Sequence, residues 1–198
     1  MRDYYEELWA RLPAQTTAPD LALRTAFLRG RVGPGDRVLD LGCGDGHFIG
    51  PLTEAGATVT GADVAETALE RARGRHPGAE LVRVPFDGEL PFADGSFAVV
   101  WASEVIEHVA DTARWLSEAR RVLVPRGRLL LTTPSHGRLR LALAGIEAFS
   151  PPLGDHLHLY TQRSLREVLT EFGFAAVRVR AAAGPPGLRR LLLAEGQR

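Results

Sequence analysis

The chain has 198 residues, which suits one domain with a sizeable core and leaves little room for a second. Its 45% apolar and 24% charged content is ordinary for a globular protein, and a formal net charge of zero gives no overall attraction to a polyanion. All 24 basic residues are arginine, which excludes Schiff-base chemistry and the lysine of a phosphate-binding P-loop.

Cys43 is the only cysteine, so no intrachain disulfide forms and a reducing compartment is suitable. The opening M-R-D-Y-Y-E-E-L-W-A is amphipathic and acidic, without the apolar centre of a signal peptide. No apolar run approaches the roughly 18 residues that a membrane span requires. The expectation is a cytoplasmic protein without membrane insertion. Nothing in the sequence sets an oligomeric state.

Helical spacing marks 4–12 and 21–29, on either side of a linker from Pro13 to Pro19. Residues 1–32 are expected to form a helical flap over the loop end of the first strand. Gly33-Pro34-Gly35-Asp36 is a turn that launches a strand over 37–41. A helix from about Asp45 to Ala55 follows, with Pro51 at a kink or an end. Further strands are expected over 57–62, 80–84, 97–102 and 128–133. Between them lie a polar-faced helix over 65–75 and helices over 104–109 and 111–123, the last capped by Asp111. The segment 134–160 reads as an insertion with one apolar helical stretch near 139–149. A helix over 164–172, stopped by Gly173, precedes two final strands over 174–181 and 188–194. This alternation predicts an α/β fold in a single domain: a doubly wound, Rossmann-like, seven-stranded sheet, mostly parallel with an antiparallel last strand.

The chemistry centres on Val38 to Gly46, V-L-D-L-G-C-G-D-G, a buried strand breaking into a glycine turn. Gly42, Gly44 and Gly46 permit backbone angles and close approach that a side chain would hinder. Such a turn between strand and helix signals a nucleotide site at the carboxyl ends of the strands. Asp63 follows at about the twenty-residue spacing of a carboxylate that reaches a ribose diol, or else it caps the helix after it. Val64 packs either on an adenine face or in the core. A nicotinamide site competes, but its third glycine is missing, since His47 stands where Gly-x-Gly-x-x-Gly needs it. Asp40 is unwelcome beside a pyrophosphate and suits the cationic end of S-adenosylmethionine.

The blocks D-L-G-C-G-D-G, V-T-G-A-D-V, L-P-F-A-D-G-S-F and S-E-V-I-E-H-V, in this order, resemble the class I S-adenosylmethionine-dependent methyltransferases. The resemblance implies that Asp40 and the Gly42–Gly46 loop hold the methionine moiety and that Asp63 takes the ribose hydroxyls. The family usually carries an aspartate directly after the third strand for the adenine amino group. Here Pro85 stands in that place, and Asp87, two residues on, is the expected substitute, with Phe86 stacking. Asp87 also reads as a turn residue before Gly88. Ser103 is expected at the methionine end, compatibly with a helix N-cap role.

Methyl transfer from a sulfonium needs alignment more than acid–base work, and orientation supplies roughly 7–11 kcal/mol. His108 is the candidate base where the acceptor must lose a proton; packing or capping its short helix is the competing role. Glu104, Glu107 and His108, at i, i+3 and i+4, share one face of the helix expected there, and such a set suits Mg, Mn or Fe. Salt bridges to arginine are the alternative for both glutamates. E-V-I-E-H resembles the motif of ubiquinone-pathway O-methyltransferases and of enzymes that methylate the 3′ end of small RNAs. In the RNA enzymes a later histidine completes a metal site, and His156 in D-H-L-H-L-Y-T is the matching residue here. A metal would bind vicinal hydroxyls and points to O-methylation.

The acceptor pocket is expected from the N-terminal flap and the 134–160 insertion, with Tyr4, Tyr5, Trp9, Phe149 and Tyr160 as available aromatics. Such a pocket suits a small-molecule acceptor. Without a basic tail or appended module, a nucleic-acid partner is disfavoured. His136 reads as an exposed loop residue. The alternatives to a methyltransferase are a non-catalytic S-adenosylmethionine-binding protein and an NAD-dependent oxidoreductase.

Overall fold

A computed structural model of the chain describes residues 2–13, 17–145 and 156–198. The first strand, β1 (Arg37–Leu41), enters the centre of a sheet whose order is β3-β2-β1-β4-β5-β7-β6. The others are β2 (Thr58–Asp63), β3 (Glu80–Arg83), β4 (Phe97–Ser103), β5 (Leu123–Pro134), β6 (Ala175–Ala182) and β7 (Leu191–Gln197). β1 pairs in parallel with β2 and β4, while β7 runs antiparallel to both β5 and β6. Strand order thus reverses between β1 and β4, which opens a crevice at their carboxyl ends.

Alternation within the strands sorts side chains between two apolar layers. Val100, Ala102, Leu129 and Leu131 face α5 (Thr112–Val122) and α7 (Gln162–Glu171). Val99, Trp101 and Leu130 point the other way, toward α2 (Leu21–Arg29) and α3 (Ile49–Glu54). α1 (Arg2–Arg11) lies against α4 (Glu66–Arg75), and α6 (Arg138–Ala144) follows β5. Among the described residues no helix is long and apolar enough to cross a membrane.

Several boundaries differ from expectation for local reasons. The helix expected from Asp45 starts at Ile49, which puts Pro51 in its first turn, where a missing N–H costs nothing. The helix expected over 104–109 is a 3-10 turn, Ile106–His108, because Glu104 adopts φ 57°. The last strand begins at Leu191 rather than Leu188. Asp111 caps α5 as expected, accepting the Arg114 N–H at 2.9 Å. The expected helix near 139–149 is found as α6, and its remainder, with Phe149, lies outside the described residues. His136 is buried, contrary to the sequence reading: its backbone N–H donates to the Tyr160 carbonyl at 2.8 Å, and its Nδ1 accepts the Tyr160 N–H at 3.1 Å. This pairing ties the end of β5 to the segment before α7.

Candidate active site

After Leu41 the chain turns at Gly42, φ 79°, and the N–H groups of Gly42 and Cys43 both donate to the Ala62 carbonyl, at 2.7 and 3.0 Å. A Cβ at Gly42 would collide with the Val105 side chain, and one at Gly44 would lie 2.8 Å from the Trp9 ring. Close approach from above therefore requires glycine at both places. Asp63 ends β2 beneath this loop. Its Oδ2 accepts the Gly44 N–H at 2.8 Å and its Oδ1 the Ala65 N–H at 3.0 Å. Burial raises its carboxyl above the usual range, and the amides of Ala65 and Gly44 pull it back.

Asp40, one residue inside β1, is fully buried, and neither carboxylate oxygen has a hydrogen-bond partner. Burial, with Asp63 nearby, raises its carboxyl to about 8. It sits behind the glycine loop; Leu41, Gly42 and Gly44 form the cavity surface in front of it.

That cavity, about 470 Å³, occupies the crevice at the strand ends. Asp63, Val64, Phe86 and Asp87 line one end, and Ser103, Glu104 and His108 line its floor. α1 forms the roof through Tyr5, Leu8 and Trp9. Tyr5 stacks on Phe86 with ring centroids 5.8 Å apart and meets the His108 ring edge-on at 6.4 Å. Asp87 is exposed at the rim. Tyr4 is exposed and Tyr160 lies in the core. Glu118 of α5 also lines the cavity and accepts the Leu90 N–H at 2.7 Å.

Ser103, Glu104 and Arg24 form one network. Arg24 is the only arginine buried among the described residues; it donates to Ser103 Oγ at 3.1 Å and pairs with Glu104 Oε2 at 3.3 Å. Glu104 also accepts the Thr132 hydroxyl at 3.1 Å. Burial raises the Glu104 carboxyl while Arg24 lowers it. The candidate metal ligands consequently divide. Ligand atoms of Glu107, His108 and His156 lie within 4.8 Å of one another, and Glu104 stands outside that set because its backbone leaves the turn. Glu107 is fully buried: Oε2 accepts the Thr133 hydroxyl at 2.9 Å, and Oε1 has no hydrogen-bond partner. Burial, then the charge of Glu104, holds its carboxyl well above the usual range. The His108 and His156 rings meet edge-to-face at 4.9 Å.

The sequence reading missed Arg24 and Glu6. Arg24 was detectable, since it falls at i, i+3, i+4 spacing with the buried Phe27 and Leu28 and so lies on the inward face of α2. Glu6, whose carboxylate reaches α4, left no local signal.

A crevice of this kind beside a glycine turn and an acid-ended second strand defines a Rossmann-like nucleotide-binding enzyme domain. The family model described as "Methyltransferase domain" matches residues 4–179. The chain belongs to this family, the class I S-adenosylmethionine-dependent methyltransferases. It is 44% identical over 103 residues to a 27-O-demethylrifamycin SV methyltransferase of Amycolatopsis mediterranei, covering 49% of this chain and 38% of that protein. It is 36% identical over 118 residues to a ubiquinone biosynthesis O-methyltransferase of a Caulobacter species, covering 58% of this chain and 47% of that one. A crystal structure of an S-adenosylmethionine-dependent methyltransferase from Mesorhizobium loti superposes with a TM-score of 0.73 at 25% identity, covering 94% of this chain and all of that one. The chain spans between 34% and 55% of the length of the curated relatives it matches. Family membership sets aside the nicotinamide alternative.

Proposed function

We propose that this chain transfers a methyl group from S-adenosylmethionine to a hydroxyl of a small-molecule acceptor by in-line displacement. The carrying observation is that one cavity runs from the glycine loop and Asp63 to the ring of His108. The residues fit the donor: glycine where a side chain would fill the cradle, a carboxylate beneath it and a buried cation beside it. The donor supplies an electrophilic methyl on a sulfonium with a neutral leaving group.

In this reading Asp63 receives the ribose hydroxyls on the acceptor sites its two backbone N–H bonds leave over, a carboxylate having about four. Val64 and Phe86 flank the adenine, and Asp87 at the rim takes its amino group. Arg24 receives the methionine carboxylate while it holds Ser103 and Glu104 in place. Asp40 lies behind the loop, outside the cavity lining and without a hydrogen-bond partner, so the expected direct hold on the methionine moiety is not part of this reading. His108 takes the acceptor proton, and Tyr5 bounds the acceptor from above. The N-terminal flap supplies the acceptor wall through Tyr5, Leu8 and Trp9, whereas no described residue of the 134–160 segment lines the cavity, and His156 reaches it only by packing on His108. The similarity to a ubiquinone biosynthesis O-methyltransferase and to a 27-O-demethylrifamycin SV methyltransferase supports oxygen as the target. A neutral chain with one buried cysteine fits the cytoplasm.

A divalent ion is the second reading, favoured by the buried Oε1 of Glu107, which accepts no hydrogen bond and lies 3.9 Å from His108 Nε2, with the His156 ring beside it. With Glu104 committed to Arg24, the donor set is two histidines and one carboxylate. This chemistry suits Mn, Fe or Zn better than Mg. The ion would lower the pKa of a bound hydroxyl.

The test is release of S-adenosylhomocysteine in the presence of a panel of phenols and catechols, with and without added Mn or Mg. Turnover of a hydroxylated acceptor that falls at least 100-fold in His108→Ala is expected. Tight donor binding without turnover of any acceptor would favour a non-catalytic binding protein.

A further inference from the structure

Helix α4 begins without a cap of its own. Its N-cap position is Ala65, which offers no side-chain acceptor, although the first amides of a helix need one. The acceptor arrives from sixty residues earlier in the chain. Glu6 Oε1 accepts the Glu66 N–H at 2.8 Å, and Oε2 accepts the Thr67 N–H at 3.0 Å and the Thr67 hydroxyl at 2.9 Å. Arg83, at the end of β3, adds an ion pair to Oε1 at 2.7 Å.

Glu6 belongs to the roof. Its neighbour Tyr5 covers Phe86 and His108, and Trp9, about one turn on, covers Gly44. The amides it caps, those of Glu66 and Thr67, begin two residues after Val64, which lines the cavity with Asp63. Lifting α1 therefore uncaps the helix whose start fixes Asp63.

We propose that Glu6 is a positioning residue for the methyl donor: by capping the first amides of α4 it latches α1 over the cavity, so roof and donor grip form and break together. This rests on the reading of the cavity as the donor site. Linkage makes the effect reciprocal, so an occupant of the cavity steadies α1 as much as a latched α1 retains the occupant.

The experiment compares the full chain with Glu6→Ala and Arg11→Ala, the latter removing an exposed ion pair to Glu7 on the same helix. Hydrogen exchange is measured on the ligand-free proteins, and dissociation of radiolabelled S-adenosylhomocysteine is followed by chase. In Glu6→Ala, amides of α1 and of the first turn of α4 exchange at least tenfold faster, and the label leaves at least tenfold faster. Amides of β1, β4 and β5, and all rates in Arg11→Ala, stay near wild type. If Glu6→Ala does not fold, Arg83→Ala removes part of the latch and gives the same pattern at about threefold. Exchange in Glu6→Ala that matches Arg11→Ala overturns the latch. Faster exchange with unchanged label release overturns the positioning role and leaves a structural cap. A wild-type protein that retains no label overturns the donor-site reading itself, which the ligand-free exchange data keep separate from the latch.

Discussion

At the scale of single residues, two buried carboxylates beneath the glycine loop behave differently. Asp63 is tied to two backbone amides, so Asp63→Ala removes both the proposed ribose acceptor and the clamp on Gly44. Losing two charged hydrogen bonds weakens donor binding by about 3–6 kcal/mol at most, measurable by calorimetry with S-adenosylhomocysteine. Unchanged affinity in a folded variant would refute the ribose assignment. Asp40 has no partner, and its carboxyl is raised from 3.8 to about 8. A group that binds its proton more tightly when folded contributes its full stability below pH 3.8 and loses it as pH rises to about 8. Denaturation midpoints of the ligand-free protein should therefore fall across that window, and Asp40→Asn should flatten the fall. Equal slopes in the two proteins would place the titration elsewhere.

At the scale of elements, α2 brings a cation to the floor of the cavity. Arg24→Ala leaves Glu104, whose side chain is 28% exposed, without its countercharge. Stranding one partner of a mostly buried pair costs about 3 kcal/mol, the lower end of the usual range. Thermal unfolding reads that loss, and donor binding should weaken with it. Elements with strong periodicity were legible from sequence: all seven strands, the glycine turn and the Asp111 cap stand where pattern places them, give or take their ends. The 104–109 segment was not, because a non-glycine residue at φ 57° cannot be read from apolar spacing, and Glu104 departs from its supposed neighbours there. His136 looked polar and loop-borne, yet a reciprocal pairing with Tyr160 buries it, which only tertiary contact decides. Glu6 was invisible for the same reason, since a cap supplied from another helix has no local signature.

At the scale of the whole molecule, a second apolar layer covers the face of the sheet that carries α2 and α3. Trp101 is fully buried in that layer against Phe48 and Phe27, with ring centroids at 5.1 and 6.3 Å. Trp101→Ala should cost about 3–5 kcal/mol and lower the urea midpoint. Because Phe48, packed on Trp101, also lines the cavity, donor affinity of the protein that remains folded should weaken as well, which calorimetry with S-adenosylhomocysteine measures. The placement of the three tryptophans has an optical consequence. Trp9 and Trp115 border the cavity, whereas Trp101 is sealed from solvent. Intrinsic emission therefore divides into a part open to quenching by acrylamide and a dark-shielded part. A nucleoside entering the crevice should dim only the first, so the molecule carries its own indicator of occupancy without any added dye.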